Sequence, residues 1–162
     1  MRHIEELIEI LCGFIVDVQS SIRLIEDMEE HETHGENAVF RQGAYRVCLN
    51  SIFLNLAKFI EFHDKYNREL HSLFPELTDR RKYWVSEFKK RDVIGFRNKF
   101  VAHIRCKASK KPLTYDEMDS YVSKICGGRD ALAFFEWLYP ENNDHGFMQH
   151  VEYTKEKLRE LL

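Results

Sequence analysis

The stretch VCLNSIFLNLAKFIEF, residues 47–62, decides the fold class. Val47, Leu49, Ile52, Phe53, Leu54, Leu56, Ala57, Phe59, Ile60 and Phe62 cover nearly every side of a helix. A helix greasy on most faces belongs at the centre of a protein or is shared with a second subunit. This one is predicted over about residues 37–66. Upstream, Ile4, Leu11, Val18 and Ile25 recur every seven residues, and Leu7, Phe14 and Met28 follow three of them by three positions. Ile8, Ile15 and Ile22 widen the stripe, Ser21 interrupts it, and the pattern predicts a first helix over about 3–29.

Downstream, Leu73-Phe74-Pro75 breaks the chain before a third helix predicted over about 79–105, whose core face carries Val93, Phe96, Phe100 and Ile104. Gly95 costs about 1 kcal/mol relative to Ala inside a helix, so it marks a close approach by another backbone or is simply tolerated. Thr114 and Glu117 form a capping box, with Leu113 and Met118 as its hydrophobic staple, and the helix they start should stop at Gly127-Gly128. Residues 131–138 predict another short helix ending near Pro140. A last helix from about Asn143 should bury Phe147, Val151, Leu158 and Leu162. The expectation is an all-α bundle of five or six helices forming one domain over residues 1–162.

Composition agrees with that class. Only 7 Gly and 3 Pro in 162 residues leave room for long helices, and 12 Phe, 7 Tyr and 2 Trp supply a core and argue against disorder. No apolar run approaches the ~18 residues that span a bilayer, and Glu5, Glu6 and Glu9 are foreign to a secretory signal. Cys12, Cys48, Cys106 and Cys126 are widely spaced with no CxxC, which favours reduced, buried thiols in a cytoplasmic protein over zinc ligation.

Charge is unevenly distributed. The net charge is −3, yet residues 78–111 hold 12 basic and 3 acidic side chains, a balance of +9 between acidic ends. Such a band fits a polyanion, an acidic protein partner or a solvated helix face. Within it lies FRNKFVAHI, residues 96–104, which places Arg97, Asn98 and His103 on about two turns of helix. RNA cleavage without metal needs a base for the 2′-hydroxyl, an acid for the leaving 5′-oxygen and a cation for the transition state. Histidine titrates near neutrality and serves as acid or base. Arginine grips phosphate oxygens in a fork and stays charged. Asn98 can donate to phosphate or orient the imidazole. On a straight helix Arg97 and His103 would point about 120° apart with about 9 Å of rise between them. Convergence therefore calls for a bend near Phe100–His103 or for two motifs meeting across a two-fold axis. The same residues also fit a plain structural reading, with His103 at a helix C-terminus and Arg97 a surface cation.

The segment Phe96-Arg97-Asn98-Lys99-Phe100-Val101-Ala102-His103 resembles the signature of HEPN domains, in which Arg, a polar residue and then His four to six positions on form the motif. Its RN…AH form is most similar to the abortive-infection branch. The resemblance implies a dimeric all-α bundle and a metal-independent endoribonuclease of prokaryotic defence or toxin–antitoxin systems. It implies that Arg97 binds the scissile phosphate, that Asn98 is the polar motif residue and that His103 is the general acid/base. Arg105 stands where HEPN toxins paired with a nucleotidyltransferase antitoxin often have Tyr, which puts such a pairing in doubt.

Other groups are read more plainly. His31 and His34 beside Glu30 and Glu32 lack the fixed surroundings of a metal site. His63 with Asp64 reads as a surface cap, and His145 and His150 read as solvent-facing. Tyr83 and Trp84 are stacking candidates for bases or, more often, core aromatics. The expected protein is therefore a homodimeric ribonuclease with catalytic Arg97, Asn98 and His103, and with RNA contacts at Arg91, Lys99, Arg105 and Lys107. It needs no metal or cofactor, and an antitoxin protein is a candidate partner. The rival is a non-catalytic helical module that binds RNA or an acidic protein through residues 78–111.

Overall fold

A computed structural model of the chain describes residues 2–30, 38–101, 114–128, 130–141 and 145–162. Their regular structure is helical throughout: α1 (Arg2–Glu30), α2 (Ala38–Leu73), a 3₁₀ turn (Pro75–Leu77), α3 (Thr78–Lys90), α4 (Val93–Phe96), a π turn (Arg97–Val101), α5 (Tyr115–Cys126), α6 (Ala131–Leu138) and α7 (Phe147–Arg159). Six of these helices have eight or more residues, and no strand occurs among the described residues.

The α1 stripe forms as its spacing requires. Leu7, Ile8, Leu11, Phe14, Val18, Ile22 and Ile25 are buried on a face that packs against α2 and α7. Ser21 joins that face because its hydroxyl donates to Asp17 O, 2.7 Å away, so no polar atom is stranded there. Central α2 meets α1, α3, α4 and the π turn. Ile52, Phe53, Leu56, Ala57, Phe59 and Ile60 are buried, while Val47 is 64% exposed and burial begins just after it, at Cys48 and Leu49. The helix also runs seven residues past the expected end at 66, anchored by Leu70, until Pro75 forces the 3₁₀ turn.

The Phe59 ring is the hub of the core. Phe14, Phe88 and Phe147 meet it edge to face at centroid distances of 6.1, 6.2 and 4.8 Å, tying α1, α3 and α7 to α2. This is the favoured geometry for ring quadrupoles. Around α5 the local signals hold. Thr114 and Glu117 make a reciprocal capping box, Gly127 ends the helix at φ 69°, and Asp130 caps α6 by accepting from Ala133 N. The staple partner Leu113 lies outside the described residues. Phe147, Val151 and Leu158 are buried as expected, but Leu162 is 57% exposed because α7 ends at Arg159.

Two histidines read as superficial are interior. His63 on α2 and His150 on α7 are buried, His150 with its ring edge towards Phe59. Between them α3 places Arg81, 1% exposed, whose Nη2 donates to Asn67 Oδ1 at 3.3 Å. No carboxylate pairs with that guanidinium among the described residues. Burial, followed by the charges of Arg80 and Arg81, holds His150 down to about 3; burial followed by Arg81 also lowers His63. Burial raises the Cys48 thiol and lifts Cys126 to about 11, so both stay protonated near neutrality. Cys106 lies outside the described residues.

The depressed imidazoles have a thermodynamic consequence. Below the ordinary histidine value of 6.5 the unfolded chain takes up protons that folded His150 refuses, so stability falls as pH drops from about 6.5 towards 3. Each such site contributes a slope of up to about 1.4 kcal/mol per pH unit. Urea unfolding at a series of pH values should show a steep acid loss, and His150→Phe should lower that slope by close to one proton.

Candidate nucleic-acid interface

The continuous helix expected over 79–105 is interrupted. Residue Lys90 ends α3, and Asp92 then adopts the left-handed conformation at φ 59° and ψ 37°, which Asp tolerates better than most side chains. Its Oδ1 accepts from Gly95 N at 3.2 Å, and its other oxygen lies 3.6 Å from Lys124 Nζ on α5. Helix α4 restarts from that cap, held down by the fully buried Val93 and Phe96, with Phe96 edge-on to Phe53 at 5.1 Å. The close approach at Gly95 is therefore not another backbone: a Cβ there would sit 2.3 Å from Asp92 Oδ1.

Directly after Phe96 the chain winds into the π turn Arg97–Val101. Single π turns inside helices are uncommon and frequently coincide with functional sites. The change of winding begins at Arg97, upstream of the bend expected near Phe100–His103. Arg97 is half-buried, with Asn98 and Lys99 exposed beside it. The guanidinium is held on two sides: Nε and Nη2 donate to Asn98 Oδ1 at 3.3 and 3.2 Å, and Nη1 pairs with Glu61 of α2. Lys99 donates to the Tyr121 hydroxyl of α5, and its ammonium lies 4.6 Å from that ring's centroid. Arg97, Asn98 and Lys99 thus share one edge with Glu61 and Tyr121. His103, Arg105 and Lys107 fall outside the described residues.

Arg91 is placed differently. Its Nη1 donates to Ile125 O at 2.6 Å, and its guanidinium covers the Trp137 ring at 4.1 Å. Gly127 is favoured by its φ of 69°, and a Cβ there would meet the Arg91 guanidinium and push it aside. Arg91 joins α3 to the C-terminal end of α5, where a cation also complements the helix dipole. Arg81 is buried and Arg80 donates to Gly146 O at 3.3 Å, so three of the band's cations serve the fold. Trp84 is 2% exposed and belongs to the core, whereas Tyr83 is 51% exposed.

Glu61 and Tyr121 escape sequence reasoning because they lie 36 and 22 positions from their partners. Glu61 does leave a trace: with Lys58 it is the only charge in residues 47–62, and a charge kept in such a run asks for a partner. Among the described residues no group of three His, Cys, Asp or Glu is arranged to hold a metal ion, and the His31/His34 cluster lies outside them. No helix among them is long and apolar enough to cross a membrane.

The Asp92–Gly95 contact is testable. Replacing helical Gly by Ala normally stabilises by about 1 kcal/mol, but Gly95→Ala should expel the Asp92 carboxylate and lose a cap worth about 0.5–2 kcal/mol. Thermal melts should show Gly95→Ala destabilised, and adding it to Asp92→Ala should cost far less than in the parent chain.

No protein-family profile matches this chain, and no curated protein sequence matches it. Among solved structures it is similar to the integron cassette protein Vpc_cass2 from the mobile metagenome of V. paracholerae. The TM-score is 0.77 and the identity 25%, covering 96% of this chain and 95% of that one.

Proposed function

We propose that this protein is a metal-independent endoribonuclease of the HEPN type, acting as a homodimer in a prokaryotic defence or toxin system. The observation that carries the reading is the half-buried Arg97 and exposed Asn98 opening a π turn, inside the segment that resembles the HEPN signature. In this reading Arg97 holds the scissile phosphate and His103 transfers a proton. Lys99, Arg105 and Lys107 attract the strand, and the products carry a 2′,3′-cyclic phosphate and a 5′-hydroxyl. Arg91 contributes field rather than contact, because its guanidinium is engaged between Ile125 O and Trp137. The similar cassette protein is described as part of a mobile metagenome, a setting that suits cargo of the defence or toxin kind.

One observation favours the rival reading of a non-catalytic module: the Arg97 fork already binds oxygens of Glu61 and Asn98, which a phosphate must displace or share. The discriminating measurement is cleavage of labelled RNA in excess EDTA. The nuclease reading expects cleavage to persist and to fall about 10²–10⁴-fold in His103→Ala, the usual value of positioned acid–base catalysis, with a comparable loss in Arg97→Ala. Full-rate cleavage by His103→Ala removes the mechanism. RNA binding without any cleavage leaves the module.

A further inference from the structure

We infer that Glu61 is a catalytic residue of this site, the base that takes the 2′-hydroxyl proton, an assignment that rests on the ribonuclease reading. Strand cleavage by an internal hydroxyl requires two proton transfers, one from the nucleophile and one to the leaving group. The Arg97-Asn98…His103 motif supplies one titratable group per chain, so half of the chemistry is missing from it.

The fold supplies a second group at the right cation. Among the described residues Arg97 has two side-chain partners, Asn98 and Glu61, and of these only Glu61 can accept a proton. The Glu61 side chain is 56% exposed, and among the described residues its Oε1 pairs with Arg97 while Oε2 has no partner. A phosphate oxygen on a guanidinium sits about 2.7–2.9 Å from nitrogen, and an attacking 2′-oxygen waits about 3–3.5 Å from phosphorus. A carboxylate sharing that guanidinium is thus one group's width from the nucleophile. The surroundings hold it there: Ile60 and Phe62 on either side are buried, so α2 presents Glu61 outward at a fixed height. Asn98 Oδ1 accepts from Nε and Nη2, a second hold on Arg97 besides Glu61.

The step balances. The 2′-hydroxyl proton passes to Glu61 Oε2 as the 2′-oxygen forms its bond to phosphorus. The bond from phosphorus to the 5′-oxygen then breaks, and His103 delivers a proton to that oxygen. Glu61 afterwards returns its proton to water and His103 regains one.

The test is Glu61→Gln, which keeps an oxygen for Arg97 Nη1 but removes the base. Cleavage in EDTA should fall about 10²–10⁴-fold, while affinity for an all-2′-deoxy oligonucleotide of the same sequence is not weakened. In Glu61→Ala, added sodium formate should restore part of the rate with increasing dose, and it should restore none in Arg97→Ala. Retention of cleavage within a few-fold in Glu61→Gln overturns the assignment and leaves the nuclease reading standing. So does a loss matched by weaker binding without formate rescue, which makes Glu61 a support for Arg97. A parent protein that cleaves no RNA overturns both.

Discussion

The packing of the Phe59 ring sets where everything else lies. Edges of Phe14, Phe88 and Phe147 converge on it from α1, α3 and α7, so four helices share one contact that fixes how α2 is turned. Rotation of α2 would expose Phe59 and drive Glu61, two residues on, into the core, since the buried and exposed faces alternate within one turn. The functional edge inherits its geometry from that constraint. Phe53, six residues earlier on α2, seats Phe96, and Phe96 is the last fixed point before Arg97. Glu61 and Arg97 therefore meet because two aromatic contacts place the helices that carry them.

A second constraint is electrostatic. Arg81 is an interior cation without a carboxylate partner among the described residues, between two imidazoles. Desolvation makes one buried charge expensive, and adding imidazolium beside it would compound the penalty, which is why His63 and His150 are held neutral. Such an arrangement contributes little to stability. It lets polar side chains fill the interior between α2, α3 and α7, at the expense of tolerance to acid.

The helices were legible where periodicity or caps spoke. The α1 stripe, the Thr114–Glu117 box and the Gly127 stop follow from rules spanning a few residues, and all three form. Reading failed where a distant contact overrode the local pattern. One long helix was expected over 79–105, but the Asp92 turn, tied to Lys124 on α5, breaks it between Lys90 and Val93. His63 looked superficial beside Asp64 near an expected helix end, and His150 because it flanked an expected helix start, whereas in space both lie near the Arg81 charge and His150 also meets Phe59. At the site the motif was visible because it is contiguous. Glu61 was not, because no rule of spacing links a residue of α2 to a turn 36 positions later.

The π turn separates two properties that usually change together. It accommodates one residue more than the α-helical turn it replaces, and it begins just after the last buried anchor, Phe96. A lineage that lost one residue between Arg97 and Val101 could close an ordinary helix there without disturbing Phe96 or the core beneath it. The wider turn absorbs its extra residue within one revolution, so the loss would remove a side chain from this edge without turning the helix about its axis. Single-residue length variation at this turn is thus an evolutionary dial, able to change which side chains the edge displays while the scaffold stays still.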